Sequence, residues 1–382
     1  MIRAITRHPF GIPALGAAML TVACGGTPPP QPVAPAAAAS EIETSVFLIG
    51  DAGEPEPDDP VLEAARRQAA VVSRQNVIVF LGDNVYPSGL PDSTHPDWPE
   101  LARRLIAQVE VVADAGASGY FVAGNHDWGH GFDGLMRQGR LIEREAGGRA
   151  QLLPAPGCPG PAVVDVGARL RLVLLDTQWW FRFDRPADSS LACSVVAPQM
   201  VTDSIRAVLG GAGWRHVIVA AHHPLESGGP HGGKFDWTWH LFPLRRLVGW
   251  LWLPLPVIGS AYPLARQAGI KRQDLTSGTY RAFRDSMRSA FAEHPPLVYA
   301  AGHEHNLQVI EHRGGAQYLV VSGAGYYSHT NPAYGIDGSL YAARRSGFVR
   351  IDVMRDGRAR LGVITVNEDA ESTEAYSRWL AP

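Results

Sequence analysis

The most regular pattern in the chain is a short, continuously apolar run that ends in polar residues. Five such runs occur, and their β-branched composition predicts strands that are buried on both faces. Asp, Asn and His follow them, at the strand ends where open α/β sheets place their functional residues. The five runs lie at 46–49, 77–81, 120–123, 217–221 and 297–301.

Segments with helical spacing separate the early strands. Residues 61–74 and 98–114 carry apolar residues at intervals of three and four among charged ones, which predicts amphipathic helices. The alternation of such helices with apolar strands is typical of an α/β fold. Further strands are predicted at 172–175, 318–321, 348–353 and 361–366.

Composition excludes several classes of protein. The chain has 382 residues with 34 basic and 37 acidic side chains, and this balance argues against a dedicated nucleic-acid binder. A hydrophobic content of 46% excludes a disordered chain. Three cysteines are too few for a disulfide scaffold.

The N-terminus has the pattern of an export signal. Basic residues Arg3 and Arg7 precede an apolar stretch that ends in Leu-Thr-Val-Ala-Cys at 20–24, which resembles a bacterial lipobox. We expect a signal peptide at 1–23, a lipidated Cys24, and a disordered Pro/Ala-rich tether at 24–42 before a domain at 43–382. The expected location is the cell envelope, as a membrane-anchored periplasmic or surface lipoprotein; an ordinary cleaved signal peptide is the alternative.

Export would place the other two cysteines in an oxidising compartment. Cys158 and Cys193 each lie in a segment of loop-like composition. Disulfides persist in such compartments, so a Cys158–Cys193 bond is expected. Two buried free thiols are the alternative.

The polar residues at the five strand ends form a set of potential metal ligands. Carboxylates, an amide oxygen and imidazoles together suit Zn, Fe or Mn. A single Gly-Asp would mean little, because Asp after a strand is often a helix cap. The five motifs are Gly-Asp-Ala-Gly at 50–53, Gly-Asp-Asn-Val-Tyr at 82–86, Gly-Asn-His-Asp at 124–127, His-His-Pro at 222–224 and Gly-His-Glu-His at 302–305.

In this order the motifs resemble those of the calcineurin-like metallophosphoesterases, over roughly residues 45–325. Within that superfamily the pattern is most similar to the purple acid phosphatases of the small tartrate-resistant type. The superfamily's usual Asp-x-His has Gly53 in place of the histidine, and Tyr86 stands where the purple subfamily has a tyrosine ligand. The resemblance implies a four-layer α/β/β/α sandwich with mixed sheets.

The resemblance also implies a binuclear metal site, with Fe(III) as one ion and Fe, Zn or Mn as the other. Asp83 would bridge the two ions, since a carboxylate has two oxygens. His126 would contact the phosphate and protonate the leaving oxygen, and His223 and Asn84 are candidates for the substrate side. The implied ligands are Asp51, Asp83, Tyr86 and His305 for one metal, and Asp83, Asn125, His222 and His303 for the other.

Residues 225–290 are predicted to be an insertion before the last metal motif. Its uncharged run at 247–265 is long enough for a membrane helix, but it contains three prolines, and a single crossing would separate His222 from His303. We therefore expect a lid, a pocket wall, or a surface at about 235–265 that rests on a membrane. Ordinary core packing is the alternative.

The function expected from the sequence is hydrolysis of small phosphate monoesters by a metal-bound hydroxide, as in an acid phosphatase. A phosphodiesterase or nucleotide pyrophosphatase with the same metal site is the first alternative. A non-catalytic surface-binding lipoprotein is the second, and the completeness of the motifs argues against it. Neither a nucleic acid nor a protein partner is predicted.

Overall fold

The computed structural model describes residues 33–72, 75–182, 193, 197–246, 248–312 and 315–380. They belong to one compact unit, Pro32–Pro382. Its α-helices are α1 (Pro60–Val71), α2 (Trp98–Asp114), α3 (Gly131–Glu145), α4 (Gln178–Phe181), α5 (Pro198–Gly210), α6 (Trp237–Leu241), α7 (Pro256–Gln267) and α8 (Gly278–Phe291). Its strands are β1 (Ile42–Ile49), β2 (Gln75–Phe80), β3 (Ser118–Phe121), β4 (Ala150–Leu152), β5 (Ala162–Val166), β6 (Leu170–Leu174), β7 (His216–Ala220), β8 (Val298–Ala301), β9 (Leu307–Glu311), β10 (Tyr318–Ser322), β11 (Ser339–Ala343), β12 (Gly347–Met354), β13 (Ala359–Val366) and β14 (Ser372–Leu380).

The strands form two mixed seven-stranded sheets. The first has the order β14-β13-β12-β1-β2-β3-β4, in which β1 to β4 are parallel. The second has the order β11-β9-β10-β8-β7-β6-β5, in which β6, β7, β8 and β10 are parallel. Both parallel cores end at the loops that carry the five motifs.

Alternation of side chains along each strand builds three apolar layers. In β1, Val46 and Leu48 point into a core shared with the second sheet, whereas Phe47 and Ile49 pack under α1, α2 and α3. A third core joins the outer face of the second sheet to α5 and α8. The result is the four-layer α/β/β/α arrangement predicted from the motifs, with the middle strands buried on both faces.

The end of the predicted tether is ordered. Val33 forms a β-bridge with Ser377 of β14, and the Ala34 carbonyl accepts a hydrogen bond of 2.9 Å from the Arg360 guanidinium. These bonds satisfy part of the exposed edge of β14. The prediction that the tether is disordered is therefore wrong for residues 33–41. The predicted signal peptide and Cys24 lie outside the described residues.

A disulfide joins Cys158 to Cys193, whose Cα atoms are 5.5 Å apart. It connects the loop before β5 to the segment that precedes α5.

The predicted insertion is shorter than residues 225–290. Helix α8 buries Tyr280, Phe283, Met287 and Phe291 in the third core, so it is an integral layer of the fold. The part that leaves the core lies at about 234–272 and holds α6 and α7. None of the helices in the described part of the chain has the length and apolar character needed to cross a bilayer.

Replacement of Phe283 tests whether α8 belongs to the core. Its ring is fully buried against Trp180, Phe181 and Tyr280, so Phe283→Ala is expected to lower the free energy of unfolding by about 3–5 kcal/mol. Ile258→Ala in α7, where the side chain is 67% exposed, is the control and should stay within about 0.5 kcal/mol. Urea denaturation measures both; equal stability of the two variants would contradict this account.

Candidate metal centre

Three predicted ligands adopt left-handed backbone conformations at strand ends. Asp51 follows β1 with φ 55°, Asp83 follows β2 with φ 53°, and His303 follows β8 with φ 68°. Such a conformation costs a non-glycine residue about 1–3 kcal/mol and persists only where surrounding contacts impose it. Here the His303 N–H donates to Asp51 Oδ2 at 2.7 Å, which ties the ends of the two sheets together.

The first ligand group surrounds the Tyr86 hydroxyl. This hydroxyl donates to Asp51 Oδ1 at 3.0 Å and lies 3.2 Å from both Asp83 Oδ2 and His305 Nε2. His305 Nε2 is 3.4 Å from Asp51 Oδ1. Four potential metal-ligand atoms thus lie around one point.

The second group surrounds the Asn125 amide oxygen. That oxygen is 3.0 Å from His222 Nε2 and 3.0 Å from His303 Nδ1, and the two ring nitrogens are 3.2 Å apart. His222 Nε2 also lies 3.4 Å from Asp83 Oδ2. The same Asp83 oxygen therefore belongs to both groups.

These separations fit two metal ions. Ligands bound at about 2.1 Å would lie about 3.0–3.4 Å apart at octahedral and tetrahedral angles, and the separations in the structure fall in that range. Asp51, Asp83 and His222 are fully buried or nearly so. Buried charges need compensating partners, which cations would supply to Asp51 and Asp83.

Burial and neighbouring charges set the protonation of these groups differently. Burial disfavours charge on His222, but the adjacent Asp83 carboxylate outweighs it and raises the pKa of His222 to about 9. Burial, followed by repulsion from Asp51 and Asp83, raises the pKa of the Tyr86 phenol well above its ordinary value. Burial and neighbouring histidines lower the pKa of His303 far below its ordinary value, so this imidazole is neutral, as a ligand must be.

The absence of the superfamily histidine at Gly53 has a steric reason. A Cβ at this position would lie 2.5 Å from the Asp83 carbonyl oxygen and 2.8 Å from the Val85 nitrogen. The Tyr86 N–H donates to the Gly53 carbonyl at 3.0 Å. The loop that delivers Tyr86 thus lies directly on Gly53, and a histidine there would displace it.

His126 lies beside the first group. Its Nδ1 is 2.5 Å from the Pro87 carbonyl, to which it donates, and its Nε2 is 3.9 Å from Asp83 Oδ2. Its side chain is 38% exposed. The ring therefore presents Nε2 at the open side of the centre.

His223 is more enclosed than a substrate-side residue would be. It is fully buried, its Nδ1 lies 2.8 Å from Thr177 Oγ1, and its ring centroid is 4.6 Å from that of His303. Its Nε2 lacks a hydrogen-bond partner. With His222 and His303 it forms a further group of buried donor atoms within 4.8 Å of one another.

Asn84 does not face the substrate, so this prediction is wrong. Its amide nitrogen donates to the Val122 carbonyl at 2.8 Å and to Asp127 at 3.1 Å. Both bonds are buried, and they join the loop after β2 to the loop after β3. The amide nitrogen is thereby occupied inside the protein, where the side chain is buried.

Asp127 is the residue that sequence reasoning missed. Its buried carboxylate accepts N–H groups from Asn84, Val85 and Gly124 at 2.7–3.2 Å, as well as the Asn84 amide. Burial and the nearby Asp83 raise the pKa of Asp127 to about 8, and bound cations would lower it again. The only signal in the sequence was its place in the Gly-Asn-His-Asp motif.

Two further histidines border the centre. The ring of His231 packs at a tilt against His303, with centroids 4.1 Å apart, and its backbone N–H donates to buried Glu304 at 2.8 Å. His329 lies 3.9 Å from His305 between ring centroids, and its Nε2 has no hydrogen-bond partner. His329 follows β10, so the strand-end pattern that revealed the other ligand motifs could have identified it.

Replacement of Asp127 tests its role in holding the two loops. Asp127→Asn would place an amide N–H₂ against N–H groups that now donate to the carboxylate. We therefore expect the free energy of unfolding to fall by about 3 kcal/mol and the metals to be retained less tightly. Asp285→Asn, at a side chain that is 74% exposed, is the control. Denaturation and elemental analysis measure the two effects. A variant with the stability and metal content of the parent would exclude this role.

Comparisons with known proteins identify similar folds and one matching family. The chain covers 89% of GAP50, described as the anchor in the inner membrane complex of Plasmodium, over 89% of its own length, with 15% identity and a TM-score of 0.55. It covers 53% of purple acid phosphatase PPD1 from yellow lupin (Lupinus luteus) seeds over 87% of its own length, with 14% identity and a TM-score of 0.49. No curated protein sequence matches. The family model described as calcineurin-like phosphoesterase matches residues 44–241; the chain belongs to the calcineurin-like phosphoesterase family.

Proposed function

We propose that this protein hydrolyses phosphate monoesters at a two-metal centre. The observation that carries the proposal is the convergence of seven side chains into two ligand groups that share one oxygen of Asp83. When bound, two cations would coordinate the phosphate oxygens, offset their charge and lower the pKa of a water molecule. The side chains of the protein would hold the two ligand groups in place and transfer a proton to the leaving group.

The two groups differ in charge, which supports different metals. Asp51, Asp83 and the Tyr86 phenol offer three potential anions to the first ion. Asn125 and two imidazoles dominate the second, where His222 would give up its proton when a cation binds. Burial and the two carboxylates raise the pKa of Tyr86, so only a strongly charged cation would bind its phenolate. Fe(III) suits the first group, and Fe, Zn or Mn in the divalent state suits the second.

His126 is positioned for proton transfer. Because Nδ1 donates to the Pro87 carbonyl, Nε2 is the nitrogen that can carry the exchangeable proton. That proton would pass to the leaving oxygen as the P–O bond breaks, and the nucleophilic water would supply a proton to restore the imidazolium. Alcohol and phosphate are then released with no covalent intermediate on the protein.

Monoesters are proposed because the ligand set resembles that of one subfamily. Tyr86 replaces the superfamily histidine, as in the purple acid phosphatases that the motifs resemble. The same metal site would serve a phosphodiesterase, so substrate choice depends on the rim of the centre, where His126, His231 and His329 contribute.

Rates on an aryl phosphate and the matching bis-aryl phosphate test the proposal directly. With the chain from Pro32 onward, we expect faster turnover of the monoester, and we expect Asp83→Asn to lose both metal and activity down to the background rate. Asp285→Asn is the control and should retain both.

Three results would revise the proposal. Preferential cleavage of the bis-aryl ester would move the function to diester hydrolysis. Parent-like activity of Asp83→Asn would refute the mechanism. Inactivity toward both esters, with metals present, would favour the binding-protein alternative.

Tyr86→Phe tests the metal assignment without relying on activity. A phenolate bound to Fe(III) absorbs visible light, so we expect the parent to be coloured and the variant to lose the visible band while keeping the second metal. Tyr341→Phe, a tyrosine of β11 outside the centre, is the matched control. A colourless, iron-free parent would exclude the assignment.

A further inference from the structure

Helix α7 turns its charged side chain inward and its apolar side chains outward. Its only charged side chain, Arg266, is buried in an ion pair with Asp274. The opposite side of the helix is apolar and faces solvent, with Val257 84%, Ile258 67% and Leu264 56% exposed. A surface helix of a soluble protein normally has the reverse arrangement.

This exposure is concentrated in one part of the chain. Fifteen large hydrophobic side chains are exposed in the described part, and ten of them lie between residues 237 and 270. Contiguous apolar patches on monomeric proteins usually mark an interaction site. We call the surface formed by Trp237, Trp250, Trp252, Val257, Ile258 and Leu264 the apolar face.

Contacts join the two halves of the apolar face. Phe242 packs edge-on against both Trp237 and Trp252, with ring centroids 5.9 and 5.1 Å away. Helices α6 and α7 are joined by stacking of Trp239 on Tyr262 at 5.5 Å. The exposed side chains therefore belong to one folded element rather than to separate loops.

The stretch of chain that forms the apolar face is rich in basic residues. Residues 234–272 contain six basic side chains and one acidic one, in a chain whose totals are 34 and 37. Lys234, Arg245 and Lys271 are exposed, and the Arg245 guanidinium lies 4.0 Å from the centroid of the Trp252 ring. The local charge is thus opposite in sign to the net charge of the whole chain.

We propose that the apolar face docks on the surface of a lipid bilayer that carries anionic head groups. Tryptophan and tyrosine favour the boundary between head groups and acyl chains, and apolar side chains of an interfacial helix bury there. Each basic residue near an anionic surface adds about 1 kcal/mol of attraction. Because no described helix can cross a bilayer, the contact is interfacial.

Charge distinguishes a bilayer from a second copy of the chain. A twofold dimer places the same patch of both subunits together. The patch that carries Lys234, Arg245 and Lys271 would then lie against the same positively charged patch of the other copy, and like charges across an interface oppose association. An anionic bilayer instead complements these residues.

Docking would bring the metal centre close to the lipid surface. Arg266, on the inner side of α7, lies 3.1 Å from His231 Nδ1 through its Nη2 atom. His231 in turn packs at a tilt against His303, with ring centroids 4.1 Å apart. One helix, about 10 Å thick, therefore separates the apolar face from the residues that border the centre.

Co-sedimentation with vesicles tests the proposal independently of catalysis. The chain from Pro32 onward lacks Cys24 and the apolar N-terminal stretch, so neither can anchor it. Vesicles of phosphatidylcholine alone are compared with vesicles that contain phosphatidylglycerol. The test variant combines Trp250→Ser, Val257→Ser and Ile258→Ser, and the control combines Val71→Ser, Met200→Ser and Trp214→Ser at exposed sites on other elements.

We expect the parent and the control to bind the anionic vesicles, with weaker binding to phosphatidylcholine or at high salt. The test variant should bind at least tenfold more weakly while hydrolysing a soluble aryl phosphate at the parent's rate. A parent that stays in the supernatant, or a control variant as impaired as the test variant, would overturn the proposal. So would a concentration-dependent dimer that the test variant alone abolishes, because the face would then be a self-association surface.

Discussion

The buried Asp83 carboxylate is the point on which the site depends. It is almost fully enclosed, one of its oxygens contacts both ligand groups, and the other accepts the His126 N–H at 2.8 Å. Burial alone would raise the pKa of Asp83, but His222 and His126 hold it below its ordinary value. A carboxylate kept ionised in such a place needs positive charge nearby, which a pair of bound cations would add to that of the histidines.

The loops around Asp83 are fixed by other buried carboxylates. Asp127 gathers the N–H groups of the loops after β2 and β3. Glu304 accepts the Ser227 hydroxyl at 3.0 Å and the His231 N–H at 2.8 Å, and burial raises the pKa of Glu304 to about 7. These acceptors replace water at backbone donors that the turns leave unpaired. They connect the second ligand group to the segment that carries α6 and α7.

The segment that carries α6 and α7 has one part that contacts the metal centre and another that faces solvent. Its beginning and end are tied to the centre through His231 and Arg266, and its middle exposes apolar side chains to the surroundings. The uncharged run at 247–265 is consistent with a membrane helix by composition alone. In the structure it divides into a turn region and α7, because Pro254 and Pro256 restrict helical backbone before the helix begins.

Local sequence patterns were enough to predict the strands, the helices and the types of ligand residue. Apolar runs that end in Gly-Asp, Gly-Asn-His-Asp and Gly-His-Glu-His could be read locally. Neighbouring residues alone set the periodicity that favours a strand and the glycine that allows a tight turn at its end. Tertiary structure alone decided which polar residues face one another. The His303 N–H reaches Asp51 across 252 positions in the chain, and Asn84, beside a ligand, turns inward to Val122 and Asp127. It also decided that α8 is core and that α7 turns its apolar side outward, because helical periodicity defines a face but not the partner that the face meets.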